Sequence, residues 1–291
     1  MSQIDDWILR YGILLGKRFS DKERVKFLRA AQREFVEMGY QVDTTSSDVS
    51  FAGIKQKFYN LYAGDLKNAR VLLVSYYDTP AKTFGLYKES AFQSNVSRFG
   101  IFVNFMPSFI IFMLSFAVIY FALIPRMNNN YMIVLTIILA LLAVFLVSRY
   151  RGGLPRRQNL VRNTSSILAL LQFASQLKSR EAVAFALVDG GTNSGYGLEM
   201  AKKYFRRNKK KIIFLDSVAN PGELIYFSDE KQALPRMREI PPAWKDVGDV
   251  LITSGDYQKG QVLLQKAKDL DEARIQEVAD MLAVLVKQLK A

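Results

Sequence analysis

The sequence predicts an α/β fold, with a mostly parallel central sheet and helices on both faces, interrupted by a two-helix transmembrane hairpin. Three observations lead to it. Short apolar runs alternate with amphipathic helical stretches before and after the middle of the chain, the pattern of strands joined by crossover helices. Between Ile101 and Val147 the one charged residue is Arg126. The 291 residues are 50% hydrophobic and 12% aromatic, enough for a packed core as well as membrane segments.

Taken in order, Asp5 and Asp6 stand where a secretory signal carries basic residues, and Arg10 interrupts Trp7–Leu15, so no signal peptide is expected. Ser20-Asp21-Lys22-Glu23 is a capping box that opens a helix ending near Gly39, with Val25, Leu28, Phe35 and Met38 on one face. Lys57–Ala63 alternates like a strand, and Arg70–Tyr77 is a short apolar run ending in Asp78. Pro107–Ile124 and Tyr131–Ser148 would each form a helix about 27 Å long, close to the ~30 Å hydrocarbon core of a bilayer. Pro107 is expected in a first helical turn, where its missing N–H costs little, with Ile101–Met106 as an interfacial lead-in. The connection Pro125–Asn130 is short and turn-forming. A buried hairpin of a soluble protein is the competing reading, and a core pair is seldom apolar on every face.

Both ends of such a hairpin emerge on one side. Lys82, Lys88 and Arg98 precede it and Arg149, Arg151, Arg156, Arg157 and Arg162 follow it, against Arg126 in its loop. This asymmetry predicts a multi-pass protein of the cytoplasmic membrane with two spans and both termini cytoplasmic. Small residues Ser115, Ala117, Ala122, Ala140 and Ala143 would let helices approach closely. Beyond the hairpin, Asn163–Leu177 reads as a helix, Val183–Val188 as a strand and Tyr196–Arg207 as a helix. Lys211–Leu215 and Glu223–Phe227 read as strands, and Leu270–Leu289 as a closing amphipathic helix with Ile275, Val278, Met281, Leu282 and Leu285 inward. The predicted organisation is one cytoplasmic domain in two parts, residues 1–98 and 150–291, with the hairpin at 99–149 inserted between them.

Composition limits the chemistry. The chain has no histidine and no cysteine, so imidazole and thiolate catalysis are excluded, and zinc would lack its usual nitrogen and sulfur ligands. The net charge of +13 implies an anionic partner. Ser165, Ser166 and Ser194 have no histidine to activate them, which argues against a serine hydrolase. Asp189 through Gly197 (DGGTNSGYG) invites comparison with a phosphate-binding loop, but it lacks G-K-[ST] and suits a strand-to-helix turn. The basic surface expected from Lys202, Lys203, Arg206, Arg207, Lys209, Lys210 and Lys211 has three readings: a solvated helix end matching the dipole, contact with anionic lipid, or nucleic acid. The hairpin favours lipid over nucleic acid.

Six fragments in order resemble the co-catalytic di-zinc aminopeptidases, the zinc peptidase family that also includes the inactive relatives transferrin receptor and nicastrin. Asn60–Gly64 resembles the strand before the metal strand, and Val71–Thr79 the strand ending in H-x-D. Arg162–Ser166 resembles the D-N-x-S-G helix start. Phe185–Gly197 resembles the strand leading into E-E-x-G, Ile212–Asp216 the next metal strand, and Ser254–Tyr257 the closing H-x-x-x-D segment. The resemblance implies a degenerate site. Tyr76 stands at the first histidine ligand, and Asp78 keeps the aspartate that orients it. Arg162 replaces the metal-bridging carboxylate, Gly191 the general-base glutamate and Thr192 the next glutamate ligand. Asp216 keeps a ligand carboxylate, and Ile252 falls at the last histidine. With its metals gone, Arg162 is expected to pair with Asp78, Asp216 or both.

These substitutions imply a membrane-anchored, catalytically inactive aminopeptidase-like protein without a cofactor. It would act as scaffold, accessory subunit or peptide-binding partner of a membrane complex such as an ABC transporter. The expected partners are the lipid bilayer, a membrane protein or complex, and a peptide ligand, with nucleic acid disfavoured. The alternative is a metal-dependent peptidase with a relocated carboxylate-only site, in which Asp78, Asp189, Asp216 and Asp256 surround a hard cation such as magnesium.

Overall fold

The computed structural model describes residues 2–51, 54–81, 89–92, 98–127, 130–150, 153–157, 159–177, 182–192, 194–205, 210–230, 237–265 and 270–290. The chain divides into two compact units. One comprises Met1–Thr79, Lys88–Asn95 and Arg157–Ala291, and the other Pro80–Tyr87 and Val96–Arg156.

In the first unit, α1 (Gln3–Trp7) is capped by Ser2 and continues as π-helical turns over Ile8–Leu14. The predicted capping box opens α2 (Asp21–Glu37), where the Ser20 N–H donates to Glu23 Oε2 at 2.9 Å. The strands are β1 (Val42–Phe51), β2 (Ile54–Ala63), β3 (Val71–Tyr76), β4 (Glu89–Ser90), β5 (Val183–Val188), β6 (Lys211–Asp216), β7 (Glu223–Ser228), β8 (Met237–Arg238), β9 (Val250–Gln258) and β10 (Gln261–Leu264). They form a ten-stranded sheet ordered β1-β2-β5-β3-β6-β9-β10-β4, with β7 and β8 attached to β9. The central strands β5, β3, β6 and β9 are parallel, and the flanking pairs β1–β2, β2–β5, β7–β9 and β9–β10 are antiparallel.

The centre is parallel because β3 (VLLVSY) and β5 (VAFALV) are buried along their whole length, as strands covered on both faces must be. Alternation then divides the core in two. Leu73, Phe185, Ile213 and Leu215 face one side, with Trp7 and Tyr11 from the N-terminal helix, Phe27 and Phe35 of α2, and the inner residues of two further helices, α5 (Ser165–Gln176) and α7 (Glu272–Lys290). Leu72, Val74, Ala184 and Phe214 face the other, with Leu198 and Ala201 of α6 (Tyr196–Phe205) and Trp244. The carboxyl ends of β3, β5 and β6 lie side by side. A parallel sheet with neighbouring strands joined out of order opens its crevice there.

The second unit holds two helices. The first is α3 (Arg98–Ala117), continued by π-helical turns at Val118–Leu123 and a 3-10 turn at Ile124–Arg126; the second is α4 (Asn130–Tyr150). Two stretches are long and apolar enough to cross a membrane: Phe105–Arg126, with mean hydropathy 2.3, and Asn130–Tyr150, with 2.8. Their ends lie slightly outside the limits read from sequence at Pro107, Ile124, Tyr131 and Ser148. Pro107 is a correction. It lies inside α3 rather than in its first turn, because the apolar residues ahead of it are themselves helical. Apolar side chains point outward on both helices, Phe121 and Leu141 among them. The two helices are joined by the Ser108 hydroxyl, which donates to the Val147 carbonyl at 3.2 Å.

Candidate functional site

The site is built at the carboxyl ends of β3, β5 and β6. Tyr76 is the last residue of β3 and Asp216 the last of β6. The Tyr76 hydroxyl donates to Asp216 Oδ1 at 2.7 Å and accepts from Arg162 Nε at 2.9 Å. A phenol has one proton to give and lone pairs to receive, so both bonds are satisfied together. Burial pushes the Tyr76 phenol well above its ordinary range, opposed by Arg162 and reinforced by Asp216, so it stays protonated as this donor. Asp216 is completed by the Ser217 hydroxyl at 2.7 Å and the Phe92 N–H at 2.8 Å. The expected pairing of Arg162 with Asp78 or Asp216 is therefore corrected in form. Among the described contacts, Arg162 reaches Asp216 through the Tyr76 hydroxyl.

Asp78 organises the neighbouring loop. Its Oδ1 accepts the Gly191 N–H at 2.8 Å, and its Oδ2 accepts the Thr192 N–H at 3.1 Å and the Thr192 hydroxyl. The backbone N–H groups that suggested an anion-binding loop thus already hold an anion, the chain's own Asp78. Gly191 is required by what lies against it. A Cβ there would stand 2.3 Å from Tyr76 Cβ and Cγ, so a side chain at 191 and the ring at 76 exclude each other.

Two residues that the sequence reading passed over complete the electrostatics. Arg24 of α2 is buried, and its Nη1 donates to both oxygens of Asp189 at 2.9 Å. Asp189 also accepts the Tyr59 N–H at 3.1 Å. Burial, with the nearby Asp78 charge, still pushes the Asp189 carboxyl up to about 6, against the pull of Arg24. Arg18 is fully buried, lies 4.6 Å from the Phe27 ring centroid and donates from Nη2 to Thr164 Oγ1 at 2.8 Å, while its Nε and Nη1 make no hydrogen bond. Burial lowers the Arg18 guanidinium to about 9, and the Asp78 charge works against that fall. Three buried carboxylates, at 78, 189 and 216, are thus set near three guanidinium groups, at 18, 24 and 162. Arg24 was detectable: it shares the helical register of the buried Phe27, Leu28 and Ala31. Arg18 sits in a segment with no periodicity to mark it.

Tyr76, Asp78, Arg162, Gly191, Thr192 and Asp216 are brought together. Ile252 is not. It is buried in the core on the opposite face of the sheet, because side chains alternate along β9. The residue in register with Asp216 is Thr253. The basic stretch lies at the other end of the same strand: Lys211 begins β6, and Asp216 ends it. Lys202, expected on a basic surface, is buried with its Nζ on Glu199 at 2.8 Å. Lys203 is exposed, the Lys210 Nζ donates to the Lys67 carbonyl at 2.8 Å, and Lys211 pairs with Glu230. Arg206, Arg207 and Lys209 lie outside the described residues, as do Lys82, Lys88 and Arg151.

The residues present do not fit a zinc centre. Of the positions carried over as ligands, only Asp216 offers a metal-binding carboxylate, and its oxygens accept three hydrogen bonds. Zinc needs about four ligands, or three and a water, and Arg162 adds a permanent cation at the same place. A carboxylate-only site is not assembled either. Among the described residues, no three of Asp, Glu, His or Cys form a group that could hold a metal ion. A cavity of about 190 Å³ opens beside the site, lined by Tyr76, Phe92, Leu198, Lys202, Asp216 and Val247 among others. Drug-sized ligands occupy pockets of roughly 300 Å³ or more, so this space suits a single side chain.

No protein-family model matches the chain, and comparison with curated proteins returns no match. Solved structures do resemble it. A glutaminyl cyclase from Tannerella forsythia superposes with a TM-score of 0.59 at 13% identity, covering 97% of this chain and 96% of that one. A Zn-dependent exopeptidase from Parabacteroides distasonis gives 0.57 at 12%, covering 97% and 94%. The glutaminyl cyclase of Porphyromonas gingivalis gives 0.55 at 12%, covering 98% and 96%. At this identity the likeness establishes the fold: the chain has the zinc aminopeptidase-like architecture that the sequence fragments suggested.

Proposed function

We propose that this chain is a membrane-anchored, catalytically inactive member of the zinc aminopeptidase-like fold that works by binding. The observation that supports this reading is the hydrogen-bonded chain Arg162–Tyr76–Asp216, a guanidinium and a phenol at positions where the family resemblance implies metal ligands. The general-base position is a glycine, and the adjacent Tyr76 ring leaves no room for a carboxylate there. Two long apolar helices with outward-facing side chains support anchoring in a bilayer, and the basic flanks favour a cytoplasmic location for the first unit and both termini. The role is that of a scaffold or accessory subunit in a membrane complex such as an ABC transporter, with the small cavity taking one side chain of a bound peptide.

The test uses the full chain purified from membranes. Metal content is measured by mass spectrometry, and aminopeptidase and glutaminyl cyclisation assays are run with and without added zinc. The reading expects no stoichiometric metal, no turnover and a partner that co-purifies from native membranes. Tightly bound stoichiometric metal, or turnover abolished by Asp216→Ala, would overturn it.

A further inference from the structure

We infer that the cavity beside Asp216 binds the ammonium group of a lysine side chain presented by a peptide. This rests on the proposal that the cavity receives one side chain of a bound peptide. The charge on its walls decides the chemistry. Asp216 is 1% exposed, and among the described contacts its donors are all neutral. The Tyr76 and Ser217 hydroxyls donate to Oδ1 at 2.7 Å, and the Phe92 N–H donates to Oδ2 at 2.8 Å. Arg162 stops at the Tyr76 hydroxyl and does not line the cavity. Lys202 does line it, but its Nζ donates to Glu199 at 2.8 Å. Burying a carboxylate that no cation touches is costly, and a cationic ligand would relieve that cost.

The backbone around Asp216 is strained to hold it. Phe92 and Ser217, which supply two of its donors, have φ values of 57° and 58°, in the left-handed region that residues with a side chain seldom adopt. The one other such non-glycine residue among those described, Lys259, lies in the turn between β9 and β10. Strain of this kind collects where a group is kept in position for a ligand.

The open acceptor on Asp216 selects the cation. A carboxylate accepts through about four lone-pair sites. Oδ1 has two filled and Oδ2 one, which leaves a single place on Oδ2. A guanidinium pairs best through two parallel bonds, and a single place cannot supply them. An ammonium is a compact charge and can use it. The way to Asp216 is apolar, lined by Phe92, Leu198, Phe214 and Val247. The Tyr76 and Phe214 rings are stacked with centroids 6.2 Å apart, and the Phe92 ring stands edge-on to Phe214 at 6.1 Å. Aromatic faces attract a cation, and apolar walls suit the methylene stem that carries it. A bare metal ion would find too few oxygens there. Glu199 and Asp246, exposed members of the lining, bring carboxylates to the rim.

The test uses the full chain in detergent and calorimetric titration near neutral pH. Three tripeptides blocked at both ends carry lysine, arginine or norleucine between two alanines. Norleucine keeps a straight alkyl stem and lacks the ammonium. A fourth tripeptide has central norleucine and a free α-amine. The lysine peptide is expected to bind at least about tenfold more tightly than each of the others. Asp216→Asn should abolish that preference. Ala243→Trp, which alters an exposed residue of the rim and leaves the buried carboxylate in place, should weaken lysine-peptide binding by at least about tenfold as well. If the norleucine, arginine or free-amine peptide binds as tightly as the lysine peptide, the inference falls and peptide binding stands. Undiminished lysine binding by either variant, once folded, also overturns it. Binding of none of the four removes the cavity's role in taking a side chain, and the inference with it. Cleavage, read by mass spectrometry in the same samples, would overturn catalytic inactivity, and the preference among intact peptides would still decide the inference.

Discussion

The contact between Gly191 and Tyr76 gives the sharpest test of the site. The φ of Gly191 does not fall in the left-handed region. On backbone grounds alone, Gly191→Ala would stabilise the protein by ~0.4–1 kcal/mol through the unfolded chain. The packing reverses that sign. The new Cβ would lie 2.3 Å from Tyr76 Cβ and Cγ, whereas carbon atoms in contact sit about 3.5–4.0 Å apart. The atoms in the way are fixed to the β3 backbone, so a rotamer change cannot relieve the clash, and more than an ångström of relative movement is needed. The loop resists it, because the Gly191 N–H is held by Asp78 at 2.8 Å. Overpacking of this kind costs ~1–3 kcal/mol, and a weakened hydrogen bond adds about 1 kcal/mol. The net expectation is a loss of about 1–3 kcal/mol, read as a melting temperature lower by roughly 3–10 °C. The assay is thermal unfolding of the full chain in detergent, followed by near-ultraviolet circular dichroism. Gly191→Glu, which restores the family's carboxylate in name, should fall further. An unchanged or higher melting temperature for Gly191→Ala would refute the claim that the Tyr76 ring occupies this space.

Other consequences are open to measurement. Tyr76→Phe removes the hydroxyl shared by Arg162 and Asp216 and should destabilise by about 1–3 kcal/mol; the loss measured in an Asp216→Asn background should be smaller, and strict additivity would show that the two groups are not coupled. Arg24→Met leaves Asp189 buried without its cation and should cost ~3–5 kcal/mol in the same unfolding assay. Because the Asp189 carboxyl is raised to about 6, the folded state holds a proton there that the unfolded chain releases near 4. Its contribution is complete below that point and is lost as pH rises through about 6. Melting temperature should therefore decline between pH 4 and 6 by an amount that Asp189→Asn abolishes; an identical slope in the variant would assign the effect elsewhere.

The parts of the fold that were legible in sequence are those where burial forces a pattern. Val183–Val188, and Val71–Tyr76 with Ser75 as its one polar residue, read as short apolar runs because both of their faces are covered. The capping box at Ser20–Glu23 announced α2 through a local hydrogen bond that needs no tertiary context. Strand β1 was missed because VDTTSSDVSF is polar and paired on one side only, so nothing hydrophobic marks it. The N-terminal helix was missed because its π geometry breaks the usual helical spacing. Within the site, Tyr76 and Asp216 meet because each ends a strand whose place is fixed by its neighbours. Ile252 failed by a single step: a slip of one residue along β9 carries a side chain through the sheet to the other face. Arg18, in the irregular segment before α2, and Arg24, on α2, are distant in sequence from the carboxylates near them, and no local pattern announces which ones they will meet.

The three guanidinium groups beside the buried carboxylates have a consequence for supply. A metal ion must be acquired from a pool, held against competitors and lost when the pool runs low, so the state of a metal centre tracks its surroundings. Arg18, Arg24 and Arg162 are made with the chain. Their occupancy is complete from the moment of folding, and neither chelation nor scarcity can change it. Positive charge at this place is written into the polypeptide, where it cannot be exchanged.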